Sequence, residues 1–269
     1  MKFGLIGHPI EHSLSPALFK AGYDGMYPYD LIITEDFEEA YKIFLEGYDG
    51  INVTAPFKEL ALRKADIISE ECRLVGATNL LIKTPQGITA YNSDFRGLVA
   101  MFRGLQGDEK RTRGVARFFH PLSDHEKTVL IVGAGGAGKA AKAASEAMGY
   151  ETTVINRTQY DPEIKPLSAF REEFSKADIV IYNLPVRIPE IDMLTEADLC
   201  PGKEKIILEA NYRNPSFDNE LIQRMVDVNP LISYIDGREW LLQQAVTGHE
   251  LFTRETPDYE AMKEVIKSK

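Results

Sequence analysis

The stretch VLIVGAGGAGKAA, residues 129–141, holds the densest set of residues that could do chemistry. Gly133, Gly135 and Gly138 spell G-x-G-x-x-G, the turn that lets a backbone approach a dinucleotide's pyrophosphate and seats it on a helix N-terminus. Gly133, Gly138 and Lys139 also spell G-x-x-x-x-G-K, the phosphate cradle of a nucleoside triphosphatase, without its final Ser or Thr. Ala140 stands where that cradle needs a hydroxyl for Mg²⁺. A strand before the glycines, a small-residue helix after them and a second strand ending near residue 155 make one βαβ unit. The dinucleotide reading is preferred, and Lys139 is expected to be a solvent-facing helix residue.

The ligand is sharpened by the end of that second strand. A free ribose 2′-hydroxyl is usually met by Asp or Glu roughly 20 residues past the glycines. Here the strand ends in Asn156-Arg157-Thr158, without a carboxylate. Arg157 can pair with a 2′-phosphate, which points to NADP over NAD. His120 and His125, with Asp124 and Glu126 beside them, lie in a charged stretch where solvated histidines are the simpler reading, and no metal is expected. Cys72 and Cys200 are far apart, lack C-x-x-C spacing and are expected to be buried thiols.

These residues need a scaffold. The 269-residue chain, 44% apolar and 27% charged, has room for one large or two modest domains. Its net charge of −10 argues against nucleic acid, so an anionic ligand must be held by a helix N-terminus or a single cation in a cleft. No apolar run reaches the length of a membrane span and MKFGLIGHPIEH does not read as a signal peptide, so the cytoplasm is expected.

The first part alternates strand and helix patterns: KFGLIG, then SPALFKAG with Ser15 as expected N-cap and Pro16 in first position, then YDLIIT, FEEAYKIFLE and GINVT. NLLIK and ITAYN, joined by TPQG, read as a hairpin, and a helix runs from Asp94, itself a candidate N-cap, to about Leu105. Residues 106–127 form a mixed-charge linker. Beyond it TVLIVG, ETTVIN, DIVIYN, KIILEA and LISYI are continuous apolar strands of a parallel sheet, and REWLLQQAVTGHELF and DYEAMKEVIK are closing helices. The fold class expected is two α/β domains, the second of Rossmann type, with the boundaries 1–100 plus 238–269 and 101–237.

Several motifs outside the glycine loop recur in one family. GHPIEHSLSP from Gly7 to Pro16, NVTAPFK from Asn52 to Lys58, GATN from Gly76 to Asn79 and NSDFRG from Asn92 to Gly97 follow one another in order. The glycine loop, NRT and DGREWLLQQA come after them. In this order and spacing, over nearly the whole chain, the sequence resembles the shikimate dehydrogenase family. The resemblance implies reversible NADP-dependent reduction of 3-dehydroshikimate to shikimate, in aromatic amino-acid biosynthesis. It implies an N-terminal substrate domain completed by the last helices and a cofactor domain between.

By the same resemblance Lys58 passes a proton to and from the reacting oxygen, with Asp94 as its partner carboxylate. Ser13 and Ser15 match the pair for the substrate carboxylate; Thr54, Asn79 and Gln244 match residues that bond the ring hydroxyls; Tyr212 matches a tyrosine near the substrate. Gly133, Ala134, Gly135, Gly136, Ala137, Asn156, Arg157, Thr158, Asn183 and Gly237 match the cofactor side. A small-molecule substrate is the implied partner, without nucleic acid or membrane, in a monomer or homodimer.

Three features depart from the family pattern. Asn183-Leu184-Pro185-Val186 replaces a loop that usually carries a threonine and a glycine, Asp161 stands where a second basic residue is common, and the linker is long. Asp161 keeps open an NAD-using quinate/shikimate dehydrogenase. The drift on the cofactor side keeps open a catalytically weak paralogue that only binds cofactor and cyclitol acid, although binding alone needs no proton-transfer lysine.

Overall fold

Strand β1 (Phe3–Gly7) is buried at all five positions, as a strand between two parallel neighbours must be. It pairs in parallel with β2 (Tyr29–Ile33) on one side and β3 (Gly50–Val53) on the other. The hairpin of β5 (Leu80–Thr84) and β6 (Gly87–Tyr91) joins antiparallel to β3, and the short β4 (Ile67–Ile68) closes the order β2-β1-β3-β5-β6-β4. The computed structural model describes residues 1–105 and 127–268. The 106–126 stretch, with His120 and His125, and Lys269 lie outside the described residues.

The chain divides into two units, Met1–Met101 with Leu241–Lys269, and Phe102–Trp240. In the first, α2 (Phe37–Gly47) and α3 (Lys58–Arg63) cover one sheet face through Phe37, Phe44, Ile51, Val53 and Phe57. α1 (Ser15–Gly22), α10 (Gly237–Thr253) and α11 (Tyr259–Lys267) pack through Leu18, Leu242, Val246 and Met262, while Phe3, Phe19 and Phe252 form a second cluster. The short α4 (Glu70–Val75) ends in Gly76, and α5 (Ser93–Leu105) follows β6.

Two capping expectations are corrected. The N-cap of α1 is Leu14, without a side-chain cap. Ser15 is the first helical residue, and its N–H donates to Ser13 Oγ at 3.2 Å. At α5 the cap is Asn92, whose Oδ1 accepts from Phe95 N at 3.0 Å. Asp94 sits in the first turn, a favourable place for a negative charge, with its carboxylate turned to another use.

The second unit holds β7 (Thr128–Val132), β8 (Glu151–Asn156), β9 (Lys165–Pro166), β10 (Ile179–Tyr182), β11 (Lys205–Glu209) and β12 (Ile232–Ile235). Their order is β9-β8-β7-β10-β11-β12, and every pairing is parallel. Renumbered within the sheet this is 3-2-1-4-5-6, the doubly wound order whose ligand crevice opens beyond the carboxyl ends of the first and fourth strands, here β7 and β10. α6 (Gly136–Ala147), α7 (Phe170–Lys176), α8 (Pro189–Asp192) and α9 (Asn219–Val228) supply its helices. Phe170, Phe174 and Phe217 are at most 1% exposed, each stabilising the unit by ~1.5–3 kcal/mol through burial.

Lys205 is the unexpected member of this core. It is fully buried, its Nζ donates to the carbonyls of Phe174 (2.6 Å) and Ala177 at the end of α7, and burial pushes its pKa down to about 8. Cys72 is buried, with its thiol pushed up to about 11 by that burial, whereas Cys200 is only half-buried, against expectation. Its Sγ lies 3.2 Å from the Ser175 carbonyl.

Candidate active site

In the first unit Lys58, Asp94, Asn79 and Gln244, four of the residues matched to the substrate side, make contacts at or next to the start of α5. Lys58, the first residue of α3, forms an ion pair with Asp94 in the first turn of α5, both side chains about one-seventh exposed at 15% and 14%. The helix start carrying Lys58 is fixed from behind by Thr78 N, which donates to the Lys58 carbonyl at 3.1 Å. Pairing two charges this far from water requires close contact, so each group orients the other.

Asn79 is only 4% exposed. Its Oδ1 accepts from Ser93 N at 2.7 Å and its Nδ2 donates to Ser93 Oγ at 2.9 Å. Ser93 Oγ then donates to Gln244 Oε1 at 3.1 Å, while Gln244 Nε2 donates to the Leu241 carbonyl at 3.1 Å. Gly97 makes this possible, because a Cβ there would lie 2.7 Å from the Gln244 nitrogen. Asn79 and Gln244 are thus joined through Ser93, whose neighbour in the chain, Asp94, pairs with Lys58.

A second set holds the serine pair. Ser13 Oγ donates to Ser15 Oγ at 3.1 Å, and the Tyr29 hydroxyl meets the Ser15 side chain. Tyr29 Oη donates to Asn52 Oδ1 at 2.8 Å, and Asn52 Nδ2 reaches the Asn79 carbonyl at 3.4 Å. Burial holds the Tyr29 pKa far above its usual value, keeping the phenol neutral. Thr54 stands just past β3, half-buried, its N–H on the Ile6 carbonyl. Ser93, Tyr29 and Asn52 escaped the sequence reading. The hydroxyl at the second position of NSDFRG and the first residue of NVTAPFK were the available signals.

In the second unit the glycine loop follows β7. Gly133 has φ +98°, a conformation that L side chains rarely adopt, and a Cβ on Gly138 would lie 1.9 Å from the Gly133 carbonyl oxygen. Gly135, the N-cap of α6, has nothing within 4 Å of where its Cβ would be. Asn156 Oδ1 accepts from Ala134 N at 3.3 Å and its Nδ2 donates to the Thr158 carbonyl at 2.9 Å. Across the switch point, Asn183 N donates to the Val132 carbonyl, Asn183 Oδ1 is buried without a partner among the described residues, and Leu184 packs against Gly133. A backbone cradle free of side chains, open helix N–H groups and an orphaned amide oxygen beside it fit a dinucleotide.

Arg157 makes no ion pair among the described residues, and the Asp161 carboxylate turns into its own loop to accept from Glu163 N at 2.9 Å. Lys139 is half-buried, not solvent-facing, and with Lys142, Thr152, Tyr160, Asp161 and Glu163 it lines a cavity of about 110 Å³ beside Ala134 and Gly138. Gly237 packs on the Glu209 and Ala210 carbonyls. Glu209, fully buried, accepts from the backbone of Ser216 and Phe217 and from Tyr234 Oη at 2.9 Å, shaping the loop that carries Tyr212. Among the described residues no group of His, Cys, Asp and Glu could hold a metal, and no helix is long and apolar enough to cross a membrane.

Comparison with known proteins shows what the chain is similar to. Residues 5–81 match the shikimate dehydrogenase substrate binding domain, and residues 96–227 match the NAD binding domain of D-isomer specific 2-hydroxyacid dehydrogenases. A shikimate dehydrogenase (NADP(+)) of Caldanaerobacter subterraneus is 31% identical across 98% of this chain and 96% of that protein. The crystal structure of shikimate 5-dehydrogenase from Thermus thermophilus in complex with shikimate superposes with a TM-score of 0.76 at 26% identity, covering 100% of this chain and 98% of that one. A quinate dehydrogenase from Corynebacterium glutamicum in complex with NAD, at 22% identity and TM-score 0.76, covering 100% of this chain and 99% of that one, shares the fold.

The strand order, the glycine cradle and the domain matches define an oxidoreductase with a Rossmann-type NAD(P)-binding unit. More narrowly, the chain belongs to the shikimate dehydrogenase family.

Proposed function

We propose that the chain reversibly reduces 3-dehydroshikimate to shikimate with NADP, in aromatic amino-acid biosynthesis. The observation that carries this reading is the Lys58–Asp94 pair, one peptide away from the network of Asn79, Ser93 and Gln244. The first unit is the substrate-binding domain and the second the cofactor domain. The proposed setting is the cytoplasm, with the chain a monomer or homodimer.

NADPH, when bound, supplies the hydride that reduces the ring carbonyl carbon. Lys58 Nζ gives the proton that the resulting alkoxide needs and recovers it in the oxidation direction, so proton and electron pair balance in both directions. Asp94 accepts from Lys58 Nζ and from the same hydroxyl, fixing the line of transfer. Ser13 and Ser15 bind the carboxylate at the start of α1, where helix N–H groups favour an anion. Thr54, Asn79 and Gln244 match a polyol, which offers donors and acceptors but no charge, and Tyr212 completes the substrate set.

On the cofactor side Gly133, Ala134, Gly135, Gly136 and Ala137 receive the pyrophosphate. Asn156, Arg157 and Thr158 hold the adenosine ribose and its 2′-phosphate. Asn183 and Gly237 border the nicotinamide half. Asp161, engaged within its own turn, leaves Arg157 available to the 2′-phosphate. Following NADPH and NADH oxidation with 3-dehydroshikimate and with 3-dehydroquinate tests the assignment. Turnover fastest with NADPH and 3-dehydroshikimate is expected; turnover fastest with NADH would overturn the role given to Arg157.

A further inference from the structure

Parallel strands are usually joined through a crossover helix, yet between β8 and β9 the chain runs through Arg157–Ile164 with no helix. That segment is held by its own bonds. Gln159 Nε2 donates to the carbonyls of Asn156 (2.8 Å) and Arg157 (3.1 Å), and Ile164 N donates to the Asp161 carbonyl at 3.1 Å. Within it Tyr160 is 60% exposed, but its hydroxyl donates to the Ala134 carbonyl in the glycine loop at 3.1 Å. An exposed tyrosine is ordinarily free to rotate, whereas this one is anchored at both ends.

The position has a chemical meaning. In a doubly wound sheet the adenosine half of a dinucleotide lies over the carboxyl end of the second strand, where its ribose is bound. Here that strand is β8, ending in Asn156, and Tyr160 lines the cavity beside Ala134 and Gly138. A fixed, exposed π face next to a purine subsite is a stacking platform, since every base has a π face of its own. We infer that Tyr160 stacks on the adenine base of the dinucleotide, a binding role that rests on the cofactor reading above. The hydroxyl bond to Ala134 sets the ring's tilt, so the loop and the pyrophosphate cradle are ordered together before the ligand arrives.

Titration of the full chain with adenosine 2′,5′-bisphosphate, which carries the adenine half alone, tests this by calorimetry. Tyr160→Ala should weaken binding by roughly 5- to 150-fold, the range of base–aromatic stacking. Tyr160→Phe, which keeps the ring and loses only the tether, should stay within about 5-fold of the wild type. Shikimate affinity and melting temperature should be unchanged in both variants, showing that the fold is intact. Equal affinity in Tyr160→Ala and wild type would overturn the inference alone, as would equal losses in the Phe and Ala variants. A wild-type chain that does not bind the bisphosphate would overturn the cofactor reading and this inference with it.

Discussion

Asn79 and Ser93 hold each other by two hydrogen bonds, one through the Ser93 backbone N–H and one through its hydroxyl. Fourteen residues apart in sequence, they tie the end of the GATN segment to the start of α5. Because Ser93 also donates to Gln244, the serine orients two amides that the proposed mechanism assigns to ring hydroxyls. Asp94, the next residue, inherits the position of the helix start. On the proposed mechanism an error in Ser93 therefore passes to both binding and proton transfer.

Ser93→Ala removes the hydroxyl and leaves Asn79 Nδ2 and Gln244 Oε1 each short of a partner. A buried polar group left unsatisfied costs about 1–3 kcal/mol. We expect the KM for shikimate to rise about 5- to 100-fold, kcat to fall less, and Ser93→Thr to restore most of the affinity. An unchanged KM in Ser93→Ala would show that the amides are held by other contacts.

Gly138 tests the cradle. A methyl group there would overlap the Gly133 carbonyl oxygen at 1.9 Å, and both atoms belong to the backbone of the turn, which has little room to shift. Gly138→Ala should destabilise the chain by about 1–3 kcal/mol and weaken NADP binding at least tenfold, read by thermal melting and calorimetry. Wild-type affinity and melting would mean that the loop rearranges freely.

His249 gives the fold an acid limit. It is 2% exposed among the rings of Phe19, Tyr23 and Tyr29, and burial pushes its pKa down to about 3 from an ordinary value near 6.5. Between these values the unfolded chain binds the proton and the folded chain does not. The folded state therefore loses stability as pH falls from 6.5 towards 3. Going from pH 7 to pH 4 should remove about 3 kcal/mol through this group, at about 1.4 kcal/mol per pH unit. Urea midpoints of wild type and His249→Leu at the two pH values measure it. The variant should lose correspondingly less, and equal losses would exclude His249 as the cause.

Much of this was legible in the sequence because it depends on local order. Continuous apolar runs such as TVLIVG and DIVIYN mark strands buried on both faces, and G-x-G-x-x-G needs only its own turn to be recognised. The hairpin around TPQG was equally local. What stayed hidden depends on distant partners. Nothing near Ser93 indicates that Gln244, 151 positions away, will accept its hydroxyl, and nothing near Tyr29 indicates Asn52. The caps at Ser15 and Asp94 were misplaced by one or two residues: in NSD all three residues favour a helix start, and at α1 the helix starts after Leu14 with no side-chain cap at all. The half-exposure of Lys139 follows from the loop with Tyr160 folding beside it, which spacing along α6 does not reveal.

On the proposed mechanism Lys58, held by Asp94, moves the proton of the reaction. The direct measurement is kcat for shikimate oxidation by NADP in wild type and Lys58→Ala, with shikimate and NADP affinities measured alongside by calorimetry. Wild-type turnover is expected, with a variant in which kcat falls roughly 10²- to 10⁴-fold while NADP binding is unchanged. A variant that keeps wild-type kcat, or a wild-type chain that binds both ligands without turnover, would contradict it.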